Sequence, residues 1–303
     1  MENSDRQLQD RAALGVFLMI VGLALYPLSD ALLKHLMGTY SVSQTTFLRA
    51  FTRVLPLGVA ALFQGGLKHV LYTDRVKAHL VRLLVNVLST FSFMIAFSKS
   101  TLTAIYTLGY TAPLFMIILS SLLLKEQISW DRWAAVFAGM AGVIIAMQPG
   151  SSLFEWASLI VLFGAFAAAL NKILMRRLAS SEHSLAIAIY PNIVMMMATL
   201  PVLVGQWVPM AWSHWALFGV VGLLTALAQY SIAQAVRCTK GSTLSPIDYS
   251  TYFWVVALDF CVWGKTPAQS MVVGALIIAS SNLYILYRAR CEERVERAVE
   301  PQK

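Results

Sequence analysis

The sequence predicts an all-α membrane protein of ten transmembrane helices, arranged as two inverted five-helix repeats. Three observations carry that prediction. Of 303 residues, 58% are hydrophobic and 13% charged, against roughly a quarter charged in soluble domains. Runs of about twenty apolar residues recur, the length that crosses a hydrocarbon core of ~30 Å at ~1.5 Å per residue. Lysine and arginine, finally, fall on alternate sides of the spans that those runs define. Runs such as 212–236 do not alternate polar with apolar residues, which excludes a transmembrane β-barrel.

Spans are expected at 12–34, 42–64, 78–98, 103–124, 130–148, 154–175, 184–205, 212–236, 244–263 and 267–288. The first begins near Ala12 without a small-residue cleavage pattern, so it reads as a retained span rather than a removed signal peptide. It carries Tyr26 and Asp30 on one mildly polar face. The second contains TTFLRAFTRVLP, with Arg49 and Arg53 one helical turn apart. Asn86, Thr90 and Phe93 form a polar face on the third. In the fourth, Gly109 permits close approach and Pro113 removes a backbone donor and bends the helix, with Tyr106, Tyr110 and Pro113 on one side. KEQISWDR is the whole turn into span five, and PGSSLFE the whole turn into span six, which ends with Asn171 and Lys172. Met195 to Met197 in span seven read as packing. In span nine, Pro246 suits a helix start, and Asp248, Tyr252, Val255 and Asp259 form one stripe.

If the N-terminus is cytoplasmic, 17 of the 23 Lys and Arg residues fall in cytoplasmic segments. Only Lys34, Lys99 and Lys265 fall on the opposite face, and Arg49, Arg53 and Lys172 lie inside spans. Such a bias in short loops places both termini in the cytoplasm. It also accounts for the formal charge of +8 without invoking nucleic acid. A gapless shift of 139 residues lays Leu84–Gly142 on Leu223–Ser281, matching Ser92 to Ser231, Ala96 to Ala235 and Tyr110 to Tyr249. Five spans separate the copies, so the second enters from the opposite side, the architecture of many secondary transporters. The halves are residues 1–150 and 151–303, the latter ending in a short basic tail.

No enzyme is indicated. The histidines form no HExxH or i, i+4 pair, and there is no GxSxG elbow or Walker loop. Cys238, Cys261 and Cys291 form no CxxC, so no metal or cofactor is expected. The chemistry rests on ionisable residues within spans, each costing several kcal/mol unless it faces a polar cavity or a partner. Arg49 lies about 10 Å from the outer end of its span and Arg53 about 16 Å. Both share a face. They either tie spans one and two through Asp30 or form a cationic wall that grasps a carboxylate, a phosphate or an electron-rich ring. Asp248 and Asp259 either line the same cavity or are hydrated at opposite membrane surfaces. The candidate substrate-binding set is Tyr26, Asp30, Arg49, Arg53, Asn86, Tyr106, Tyr110, Asp248 and Tyr252. Two other classes predict different things: a membrane enzyme needs a loop-face cluster of His and acids, and a non-transporting scaffold needs every intramembrane charge paired and no polar cavity.

The junction LLLKEQISWDRWAAVFAGMAGVIIAMQP, with Glu126, a short turn, then Gly139 and Gly142, resembles EamA-type transporters of the drug/metabolite transporter superfamily, as does the division into two five-span halves. The second half departs at Lys265, where the repeat would carry the acid of Glu126, and at Ser281 in place of Gly142. LSDALLKHLMGTY, FLRAF and WDRW are most similar to members that carry S-adenosylmethionine, and next to those that carry riboflavin. The resemblance implies a carrier of the bacterial inner membrane with a central cavity and alternating access. A small-molecule substrate and the lipid bilayer are the implied partners, and any coupling would run to protons or a counter-substrate. Arg49 and Arg53 would take a carboxylate, Tyr26, Tyr110 and Tyr252 a ring, and Asp30 or Asp248 a cationic centre.

Overall fold

The computed structural model describes residues 2–63, 66–73, 76–125, 127–148, 155–178, 184–238, 244 and 247–299. Glu126, Pro246 and the expected boundary between the halves at residue 150 lie outside them. Every regular element among the described residues is helical. In chain order these are α1 Glu2–Leu36, α2 Val42–Phe63, α3 Leu67–Val70, α4 Val76–Lys99, α5 Leu102–Gly109, α6 Ala112–Leu124, α7 Trp130–Met147, α8 Trp156–Leu178, α9 Ser184–Leu203 and α10 Trp212–Cys238. A 3-10 turn, Ile247–Ser250, then leads into α11 Thr251–Trp263 and α12 Gln269–Val299.

By length and composition, eight segments of the described residues can cross a membrane: Ala13–Leu36, Val42–Phe63, His79–Lys99, Leu102–Leu124, Trp130–Met147, Trp156–Met175, Trp212–Ile232 and Gln269–Arg288. The expected seventh span corresponds to a shorter apolar helix, Ala188–Leu203. The expected ninth corresponds to α11, 13 residues long, with the 3-10 turn before it. The last helix runs on to Val299, well past its expected end at 288.

The expected bend in span four is a break between α5 and α6 at Tyr110 and Thr111. Pro113 has no N–H to offer the carbonyl of Gly109, so the α-helical ladder lapses there. Local groups compensate: Thr111 N donates to Leu108 O at 3.1 Å and Thr111 Oγ1 to the same oxygen at 2.6 Å. From across the bundle, Asn282 Nδ2 on α12 donates to Tyr110 O at 2.8 Å. Freed backbone groups at membrane depth need such partners.

The two halves pack against each other helix by helix: α1 lies on α10, α4 on α8, α2 on α9 and α7 on α12. Glycines allow the closest of these approaches. A Cβ on Gly274 of α12 would meet Gly142 O of α7 at 2.5 Å, and one on Gly22 of α1 would meet Ile232 Cγ1 of α10 at 2.6 Å. The largest buried apolar cluster, which includes Met94, Phe97, Leu102, Ile105, Val255 and Ile278, fills the middle of the bundle.

Candidate functional site

Beside that cluster lies a cavity of ≈ 1190 Å³ walled by both halves. Its lining runs from the middle of α1 and α2 to the turn after α6, taking in Tyr26, Asp30, Arg49, Arg53, Tyr106, Tyr110 and Asp248. Those are seven of the nine residues expected to bind substrate. The other two, Asn86 and Tyr252, are half-buried but do not line it. Tyr252 packs instead against the central apolar cluster.

The paired arginines have separate fates. Arg49 Nη2 donates to Asp30 Oδ1 at 2.7 Å and Arg49 Nη1 to Met94 Sδ at 3.3 Å, while Tyr106 OH donates to Asp30 Oδ2 at 2.8 Å. Asp30 thus has both oxygens occupied and ties α1, α2 and α5 together. Arg53, one turn further along the same face of α2, makes no hydrogen bond or ion pair with any described residue, and its Nε is buried without a partner. A guanidinium in that position is held in a cavity with its donors unspent, the arrangement that suits an anionic ligand group.

Asp248 sits at the first turn after the stretch following α10, and its carbonyl accepts from Tyr110 OH at 3.1 Å. Its carboxylate lines the cavity and makes no hydrogen bond or ion pair with a described residue. The cavity therefore offers two poles of opposite charge, Arg53 and Asp248, besides the internally neutralised Arg49–Asp30 pair.

Lining residues outside the sequence-derived set include Lys172, Arg132, Tyr249 and Asn282. Lys172 is visible in sequence as an intramembrane charge, but Arg132 reads as an ordinary loop cation. Tyr249 packs on Tyr110 with ring centroids 5.2 Å apart and planes tilted 40°. The repeat shift aligns these two tyrosines, and that alignment is the signal that could have found Tyr249. Asn282, 1% exposed, has no sequence signal beyond being polar in an apolar run. With Lys172 and Arg132 included, four cations face two carboxylates around the cavity.

Asp259 follows neither of the two alternatives and does not line the cavity. It is 1% exposed rather than hydrated at a membrane surface. Its Oδ1 accepts from Leu102 N at 3.1 Å, and its Oδ2 from Thr103 N and Thr103 Oγ1, both at 2.7 Å. It caps the free N–H groups at the start of α5. Among the described residues no group of three or more His, Cys, Asp and Glu could hold a metal ion.

Comparison with known proteins matches residues 13–148 and 155–287 each to the EamA-like transporter family. An S-adenosylmethionine uptake transporter from Rickettsia prowazekii (strain Madrid E) is 24% identical over 273 residues, covering 90% of this chain and 92% of that protein. A riboflavin transporter from Vibrio cholerae serotype O1 is 30% identical over 190 residues, covering 62% and 64%. The pseudopaline exporter CntI from Pseudomonas aeruginosa is 22% identical over 266 residues, covering 87% and 93%. A solved structure described as a crystal structure of protein shares the fold, with a TM-score of 0.61 at 16% identity over 92% of this chain and 98% of that one.

Proposed function

Because this chain belongs to the EamA-like transporter family, we propose that it is a secondary transporter whose cargo is S-adenosylmethionine or a similar aromatic zwitterion, carried by alternating access. That it is a multi-pass membrane transporter of this family follows from the family match and the apolar helices. The observation that carries the choice of cargo is Arg53, an unpaired guanidinium in a large two-sided cavity. At ≈ 1190 Å³ the space exceeds the ~300–1,000 Å³ of ordinary small-molecule pockets, which suits a nucleoside-sized metabolite.

Arg53 takes the carboxylate, Asp248 takes the cationic centre, and Tyr26, Tyr110, Tyr106 and Tyr249 offer ring faces. Names of relatives favour the same cargo, since the S-adenosylmethionine carriers match over most of both chains. Riboflavin is the second reading, favoured by the riboflavin transporters among the relatives. A neutral flavin would use the rings and leave Arg53 and Asp248 unanswered. An amino-acid or drug carrier shares the charged poles without the need for a ring platform. A non-transporting scaffold fits poorly with an unpaired intramembrane cation, and the family and the names of the relatives favour a carrier over an enzyme.

The proposed architecture is ten crossings in two inverted repeats, with both termini in the cytoplasm of a bacterial inner membrane. In its support, the helix pairings map onto themselves when the halves are exchanged: first with third (α1 on α10, α8 on α4), second with second (α2 on α9), fifth with fifth (α7 on α12). Transport would be coupled to protons or to counter-substrate. The test is uptake of labelled S-adenosylmethionine, and separately of labelled riboflavin, into liposomes containing the pure protein. Uptake abolished by unlabelled S-adenosylmethionine and untouched by riboflavin is expected. Uptake of riboflavin alone would transfer the assignment to the second reading, and no uptake of either would end both.

A further inference from the structure

The end of the bundle opposite the α6–α7 turn is closed by one connected set of polar contacts centred on residues 100–103. Lys34 Nζ, at the end of α1, donates to the carbonyl of Ser100 and stands 5.1 Å from the centre of the Trp263 ring at the end of α11. Ser100 Oγ donates to Glu155 Oε2 at 2.6 Å, just before α8. Two and three residues further on, Asp259 of α11 accepts the three hydrogen bonds from Leu102 and Thr103 described above. Ser100, Thr103 and Asp259 are each 5% exposed or less. Three segments from both halves thus converge on the start of α5, where Asp259 satisfies the free N–H groups of Leu102 and Thr103 and Thr101 Oγ1 that of Ala104, groups that would be costly to leave bare in an apolar interior.

This closure is continuous with the cavity through α5 itself. The helix is 8 residues long, about 12 Å at ~1.5 Å per residue. One turn in, Tyr106 reaches Asp30, and at its far end Tyr110 contacts Asp248, Tyr249 and Asn282. A helix this short is stable only when tertiary contacts fix it. Both its ends are fixed by the C-terminal half, and its middle touches the N-terminal half through the Asp30–Arg49 pair.

We propose that Asp259 is a positioning residue for transport: by holding the first turn of α5 it sets Tyr106 and Tyr110 in the cavity and keeps the opposite end of the bundle shut. A cargo that pulls on Tyr106 or Tyr110 from the cavity would then be felt at the closure two turns away. The proposal concerns which side is sealed and by what; it rests on the transporter reading and on no particular cargo.

The test uses full-length protein in liposomes with Cys238, Cys261 and Cys291 replaced by Ser and a single reporter, Ala31→Cys. Ala31 is 5% exposed and packs with Leu102 and Ile105 between Asp30 and Lys34. A membrane-impermeant thiol reagent is applied from each face in turn. With Asp259 intact the reporter resists reagent from the face bearing Lys34 and Glu155. In Asp259→Ala, labelling from that face rises on the order of tenfold, as the loss of charge-assisted hydrogen bonds implies. Thr103→Val, which removes one hydroxyl donor and preserves shape, gives a smaller increase from the same face. Labelling unchanged in both variants would overturn the proposal. So would an equal rise from both faces, which marks general loosening by loss of a cap. Because no substrate is added, failure here and failure of S-adenosylmethionine uptake are read separately.

Discussion

Asp30 illustrates how a membrane interior assigns roles by partner rather than by residue type. A buried carboxylate six residues from the end of α1 would be costly alone, yet Arg49 and Tyr106 occupy its two oxygens at 2.7 and 2.8 Å, which offsets the loss of water. Removing one member should therefore cost more than removing both. Asp30→Ala is expected to lower stability by about 3 kcal/mol, the scale for a stranded buried charge, whereas Asp30→Ala combined with Arg49→Met should recover much of it. Chemical denaturation of the four proteins in detergent, treated as a double-mutant cycle, checks this. Additive single effects would contradict it. The sequence made the Arg49–Asp30 pair legible, because two arginines four apart must share a face and a carboxylate stood in the preceding span. It could not separate Arg49 from Arg53, since that depends on where α1 crosses α2. Nor could it expose the role of Asp259, whose partners are 156 and 157 residues away and mostly backbone.

At the scale of the element, the fourth span was readable and the ninth was not. Gly109 and Pro113 mark the break between α5 and α6 by removing a side chain and a donor in one turn, local effects that need no tertiary knowledge. The shortness of α11 has no such mark, because Ile247–Ser250 folds as a 3-10 turn that nothing in its local sequence separates from the helix after it. The packing of α7 on α12 is partly legible too. Gly139 and Gly142 stand out in the sequence, but Gly274 faces Gly142 and Ala146 only because the two fifth helices meet. A Cβ at Gly274 already meets three atoms of α7 at 2.5 to 2.9 Å, two of them backbone, so Gly274→Val must force the helices apart. A loss of about 1–3 kcal/mol is expected, the range for overpacking, read as a lower melting temperature. Gly219, with nothing within 4 Å of a Cβ, serves as the control, and Gly219→Ala should leave stability unchanged or slightly raised.

For the molecule as a whole, apolar run lengths and the Lys and Arg bias led to a helical membrane protein, and the structure and family match agree with that much. The repeat was faint in identities, yet it aligned Tyr110 with Tyr249, which meet beside the cavity. Orientation has its own check in a cysteine-free background. Gln206→Cys, in the exposed stretch after α9, should react with impermeant reagent on intact cells, and Gln127→Cys, exposed before α7, only after permeabilisation. The reverse pattern would invert the proposed topology. The central claim, that an unpaired guanidinium in a cavity between the halves holds the cargo, rests on Arg53. A ligand that binds only the folded protein raises its melting temperature, so the direct measurement is a thermal shift with S-adenosylmethionine on the parent and on Arg53→Ala. The account predicts a shift for the parent, none for Arg53→Ala, and similar melting of the two without ligand, because Arg53 holds no structural partner. An equal shift in both proteins would contradict it.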